Sequence, residues 1–206
     1  MMNLLAGLLC TIAVVAAAQG PEDSILAMYG DRVSRPGAGT LCIVTDQGDT
    51  LTFRDLTAVE DGENYCVHEL REFLRDQNIW VIVKGCYEWT ETLLVDGSDG
   101  SQTVVVSTPV PSPDGTRLLC SNEDIIAGFD DNGIQVWRAD RDSLVLEFED
   151  LDVPWGPAGA RWENDSLIVF LKRTFDREQD LYNARPGWLE LSGDGTWLTD
   201  DPADWN

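Results

Sequence analysis

The chain contains one histidine, His68, and two lysines, Lys84 and Lys172. A single histidine cannot build a histidine-rich zinc site, and nothing in Tyr65-Cys-Val-His-Glu69 supplies the partner network of a general base. Basic residues number 14 against 37 acidic ones, for a net charge of −23. Nucleic-acid binding needs clustered cations against phosphate, so that class is excluded, and an anionic membrane surface repels the chain as well. No C-x-x-C pair, no G-x-S-x-G elbow and no Gly-x-Gly-x-x-Gly phosphate loop occurs, and Gly193-Asp-Gly195 is a turn between strands. Beyond the N-terminus no apolar run approaches the length of a membrane span. What is present argues for a packed core: 43% of residues are hydrophobic and eight are tryptophan.

Met1 to Ala18 is apolar and uncharged, ends in Ala16-Ala17-Ala18 and is followed by Gln19. It reads as a secretory signal peptide, short for a membrane anchor, although its first residues lack the usual lysine or arginine. The expected product is a periplasmic or secreted protein with no stable membrane insertion after cleavage. Residues 19–38 read as an N-terminal linker with room for a short helix between Pro21 and Val33, and 39–206 as one domain.

Export changes the meaning of the cysteines. Cys10 belongs to the signal; Cys42, Cys66, Cys86 and Cys120 remain, an even count that favours disulfides outside the cytoplasm. A hairpin turning at Arg75-Asp76-Gln77-Asn78 places Cys66 nearly opposite Cys86, which leaves Cys42 with Cys120. Pairing of Cys42 with Cys66 and of Cys86 with Cys120 is the alternative, and four free thiols the third possibility.

From Leu41 onward short β-branched and aromatic runs alternate with Asp, Gly and Asn. Strands are expected around 41–44, 51–53, 79–83, 92–95, 103–106, 117–120, 134–137, 144–148, 167–171, 188–191 and 196–198. Three segments repeat one pattern, an acidic or amide turn leading into a buried strand, at Asp76-Gln-Asn, Pro113-Asp-Gly and Asn164-Asp-Ser. Ser112-Pro-Asp-Gly-Thr-Arg-Leu118 resembles the turn and strand of TolB-type β-propeller repeats, and Ala160 to Ile168 is similar to a degenerate copy. Tyr87-Glu88, Leu93 to Asp96, Pro109-Val110 and Asn132-Gly-Ile134 add a likeness to uncharacterised bacterial exported proteins. The resemblance implies an all-β, β-propeller-like domain of about four small or incomplete blades, with the 41–56 hairpin closing against the C-terminal strands; a β-sandwich is the alternative.

Candidate chemistry is sparse. Asp96-Gly-Ser-Asp-Gly100, Asp130-Asp-Asn132 and Asp46-Gln-Gly-Asp49 offer oxygen ligands, so a structural calcium is the one cofactor left open, but the same residues suit hairpin turns. No catalytic residue stands out and no metal-ligating set is assigned. Trp80 and Trp137 lie in apolar strands and read as core. Trp89, Trp155, Trp162, Trp188, Trp197 and Trp205 stand near Gly, Pro or Asp, where an indole is half exposed and available to stack on a ligand. Tyr87, Glu88, Trp89, Trp155 and Trp162 are the ligand-binding candidates. The expectation is an exported, non-catalytic binding module for a protein or glycan ligand; a carbohydrate-binding module or a cell-envelope hydrolase are the alternatives.

Overall fold

A computed structural model describes residues 20–57, 65–141, 143–151 and 153–200. The expected signal at 1–18 and Trp205 lie outside these residues. The described residues are all-β apart from one helix, α1 (Pro21–Met28). Four antiparallel sheets follow one another along the sequence, and none closes into a barrel. The first holds β1 (Val33–Gly37), β2 (Thr40–Val44) and β3 (Thr50–Arg54). The second is a meander of β4 (Cys66–Leu74), β5 (Ile79–Cys86), β6 (Thr90–Asp96) and β7 (Gln102–Val105). The third contains β8 (Val110–Pro111), β9 (Arg117–Asn122), β10 (Gly133–Asp140) and β11 (Ser143–Leu151). The fourth contains β12 (Gly156–Asn164), β13 (Leu167–Asp176), β14 (Leu181–Leu191) and β15 (Trp197–Thr199).

The sheets pack face to face in chain order. Leu41, Ile43 and Phe53 of the first meet Leu70, Trp80 and Ile82 of the second. Val81, Leu94 and Val105 of the second meet Leu118, Cys120 and Ala139 of the third. Leu119, Ile134 and Val136 then meet Ile168, Phe170 and Leu189 of the fourth. This arrangement follows from the pattern of β5, where Ile79-Trp80-Val81-Ile82 is buried on both faces because it lies between two neighbours. Each fully buried side chain of this size contributes roughly 1.5–3 kcal/mol.

The segment expected to be a linker, 19–38, instead holds α1 and β1. Glu22 of α1 pairs with Arg35 of β1 at 2.7 Å, and Arg35 also donates to the carbonyl of His68, which fixes helix and strand to the second sheet. The hairpin at 41–56 was expected against the C-terminal strands, but it packs on the second sheet. Alternation in β2 gives it one apolar face, Leu41 and Ile43, and Leu70, Trp80 and Ile82 occupy that face completely. Among the described residues no core cluster joins the first sheet to the fourth.

The repeated turns occupy equivalent places, between the first and second strands of sheets two, three and four, and each bonds to the next. Gln77 donates through its amide to the carbonyl of Gly115, and the Asp114 backbone N–H donates to Asp165 Oδ1 at 2.8 Å. Asn78 Nδ2 reaches back to Asp46 Oδ2 at 2.9 Å, so the β2–β3 turn joins the same line. Asn78 itself has φ +58°, a left-handed conformation that Asn tolerates better than most side chains. The acidic turns thus do structural work within hairpins: Asp114 Oδ1 accepts from the Ser112 hydroxyl and the Thr116 N–H, and its carboxyl is held below the ordinary value although burial opposes this.

Candidate functional site

The opposite end of the sheets carries the β5–β6 turn at 87–89 and the longer connection from β9 to β10 at 123–132. Both are rigidly built, and both expose large apolar side chains. Cys66 and Cys86 are register partners across β4 and β5 and form a disulfide, as the hairpin reading expected. The Cys86 N–H donates to the carbonyl of Trp89 at 2.9 Å, so the base of the 87–89 turn is fixed covalently and by a closing hydrogen bond. Tyr87, 63% exposed, and Trp89, 39% exposed, project from it. Lys84 Nζ lies 4.7 Å from the Trp89 ring centroid and 3.7 Å from Glu91 Oε2. Glu88 is exposed beside them.

The 123–132 connection is organised by one carboxylate. Asp124 Oδ1 accepts the N–H groups of Ala127 and Gly128, and Oδ2 those of Phe129 and Asp130, at 2.7–3.0 Å. These donors, the Asp130 N–H first, hold the Asp124 carboxyl below its ordinary range. At the base, Asn132 is buried; its amide donates to the carbonyls of Val153 and Trp155, and its Oδ1 accepts the Asp124 N–H. Gly133 then enters β10 at φ +144°, where a Cβ would come within 2.2 Å of the Asp150 carbonyl oxygen. Only glycine fits that approach. The outcome is an ordered loop that presents Ile126 and Phe129, 50% and 58% exposed.

Asp130 joins the two parts. Its carboxylate accepts the Thr90 backbone N–H at 2.7 Å and the Thr90 hydroxyl at 2.9 Å. A groove of about 210 Å³ runs between them, lined by Trp89, Glu91, Val104, Phe129, Asp130 and Asp131 among others. A second, of about 410 Å³, adjoins it and shares Phe129, Asp130 and Asp131. The rim is therefore an aromatic ridge with carboxylates on either side.

The other tryptophans are placed elsewhere. Trp155 is buried beneath the loop, stacked on Phe170 at 5.5 Å with the Lys172 ammonium 4.9 Å from its ring. Trp162 on β12 donates to the Val110 carbonyl at 2.8 Å and lies 6.1 Å from Trp197, which is buried. Trp188 is 36% exposed on the fourth sheet, on a different element from the rim. Of the five candidates, Tyr87, Glu88 and Trp89 come together at the rim, whereas Trp155 and Trp162 do not join them. Phe129, Ile126 and Asp124 were not anticipated. The available signal was an apolar pair, Ile125 and Ile126, and an aromatic, Phe129, within a run otherwise made of acidic residues, Ala127, Gly128 and Asn132.

Among the described residues the other two cysteines form no disulfide. Cys42 sits half-buried on β2 and Cys120 is buried between the second and third sheets, where burial pushes its thiol up to about 12. Both expected partnerships for them, Cys42 with Cys120 and the Cys42–Cys66, Cys86–Cys120 arrangement, are thus corrected: the strand register commits Cys66 to Cys86, and Cys42 and Cys120 belong to different sheets. His68 is held by Asp55, whose Oδ1 accepts the His68 N–H at 2.7 Å and lies 3.1 Å from Nδ1. Among the described residues no three His, Cys, Asp or Glu side chains converge as a metal site, and no helix is long and apolar enough to cross a membrane. Compared with protein-family models, curated proteins and solved structures, the chain matches none.

Proposed function

We propose that the protein is an exported, non-catalytic binding module, built from small TolB-like blades, that engages a protein partner through the Tyr87, Trp89 and Phe129 rim. One observation carries this: Phe129 and Ile126 are exposed on a loop whose backbone is fixed by four hydrogen bonds to Asp124. Exposed apolar side chains on a pre-ordered loop lower the entropy cost of binding, and rigid aromatics are the usual anchors of interfaces. The apolar Met1–Ala18 segment and the Cys66–Cys86 disulfide support export. A glycan-binding module is less well supported, because among the described residues Trp89 is the one indole at the rim and Trp155 is buried.

The test is site-specific photo-crosslinking in the native host compartment. With a benzophenone amino acid at Phe129, the expected result is one discrete protein adduct that disappears when Trp89→Ala is added. The same probe at Trp188 should give none. Equal adducts from both positions, or none from Phe129, would refute the proposal.

A further inference from the structure

We infer that the segment received at this rim presents a lysine or arginine beside an apolar side chain. The inference rests on the rim being the binding surface. Its first support is an internal mimic: Lys84 already places an ammonium 4.7 Å from the centroid of Trp89 while pairing with Glu91 at 3.7 Å. An indole face flanked by a carboxylate is a cation site, and the chain's own lysine takes part of it. The second support is charge complementarity. Both grooves share Asp131, which is exposed, and one has an apolar floor at Val104, 56% exposed, beside Phe129. An apolar side chain fits against Val104 and Phe129 while its basic neighbour meets Asp131 and the half-exposed Trp89 ring. The third support is the net charge of −23, which speeds approach of a cationic partner and opposes an anionic one.

Lys84 is therefore a competitor for its partner's cation. Removing it should tighten binding of the charged peptide more than of its acetylated form, a difference that a purely apolar docking surface would not give.

The experiment uses the full chain after export and three synthetic twelve-residue peptides: one of alternating Leu and Lys, the same peptide with every lysine acetylated, and one of alternating Leu and Glu. Binding is followed by calorimetry at two salt concentrations. The Leu/Lys peptide is expected to bind, to weaken as salt rises, and to lose at least tenfold in affinity on acetylation; Leu/Glu should not bind. Asp131→Asn should weaken binding about fivefold, equivalent to roughly 1 kcal/mol for a partly exposed charge contact. Lys84→Met should tighten it about threefold. Glu163→Gln on β12 removes the same unit of charge away from the rim and should change nothing, which separates a site from general attraction to an acidic protein.

Failure of this inference is distinguishable from failure of the rim itself. If charged and acetylated peptides bind equally and Trp89→Ala with Phe129→Ala weakens both, the rim stands and the cation preference falls. If the double variant leaves binding unchanged, or Asp131→Asn and Glu163→Gln act alike, the Leu/Lys peptide is bound elsewhere and both ideas fall. No binding of the Leu/Lys peptide at millimolar concentration also overturns the inference.

Discussion

Replacing Asp124 with Asn should dissolve the order of the 124–130 loop while leaving the sheets intact. The carboxylate accepts four backbone N–H groups, two on each oxygen. An amide keeps one oxygen for one pair and turns an NH₂ toward the other, so two donors lose their acceptor and the remaining two lose a charged one. Hydrogen bonds to charged groups are worth about 1.5–3 kcal/mol, but these N–H groups lie near solvent and regain water, so about 1 kcal/mol each is realistic. The loss is then about 2 kcal/mol, or a roughly thirtyfold fall in amide hydrogen-exchange protection at two of the four donors. Protection in β5 and β10 should not move. Protonation acts in the same direction: the folded carboxyl titrates below its unfolded value, so the loop is fully ordered above about pH 3.9 and loses this support as the pH falls through the lower folded value. Less than a threefold change in exchange at Ala127 to Asp130 in the variant would refute the claim that Asp124 organises the loop.

Non-reducing peptide mapping should find one disulfide, Cys66 with Cys86, and two thiols, of which Cys42 alkylates in the native protein and Cys120 only on unfolding. Reducing that disulfide opens a loop of 20-residue separation and should cost about 3 kcal/mol, measurable by denaturant titration. Asp150→Asn should raise Tm at pH 7: burial raises the Asp150 carboxyl above its unfolded value while Lys172 partly opposes this, so the ionised form costs stability as the pH rises through the folded pKa. The advantage should vanish only well below about pH 3.9, where the wild-type carboxyl is protonated in both states. Gly133→Ala should cost about 3 kcal/mol or more in chemical unfolding, because its Cβ meets a backbone oxygen at a positive φ.

Much of the fold was legible because its turns are chemically explicit. Pro113-Asp-Gly115 and Asn164-Asp165 marked the first turn of the third and fourth sheets, and β-branched runs such as Ile79–Val83 of the second sheet marked strands. β12 was missed because Gly156-Pro-Ala-Gly159 reads as a loop; a register irregularity in its pairing with β13 between Ala158 and Arg161 falls at that segment. β1 was missed for the same reason, ending in Pro36-Gly37. Local geometry gave the Cys66–Cys86 pair, whereas assigning Cys42 to Cys120 by elimination failed, since which sheets abut is a tertiary fact. At the site, Tyr87 to Trp89 were visible as aromatics beside a turn. Trp155 has the same local signal, yet its indole is buried against Phe170, and Gly and Pro neighbours do not distinguish the two cases. Phe129 escaped notice because its exposure depends on the bonds to Asp124 and on the Thr90 bridge through Asp130, contacts that span from 3 to 40 residues.

The central claim, that ligand enters at the rim, is tested most directly by NMR titration of the isotope-labelled protein with the Leu/Lys peptide. The account predicts that the Trp89 indole N–H and the amides of 87–91 and 127–131 shift together with one affinity, while those of β13 and β14 stay in place. Shifts centred on Trp188 and Leu198 of the fourth sheet, or spread evenly over the acidic surface, would contradict it.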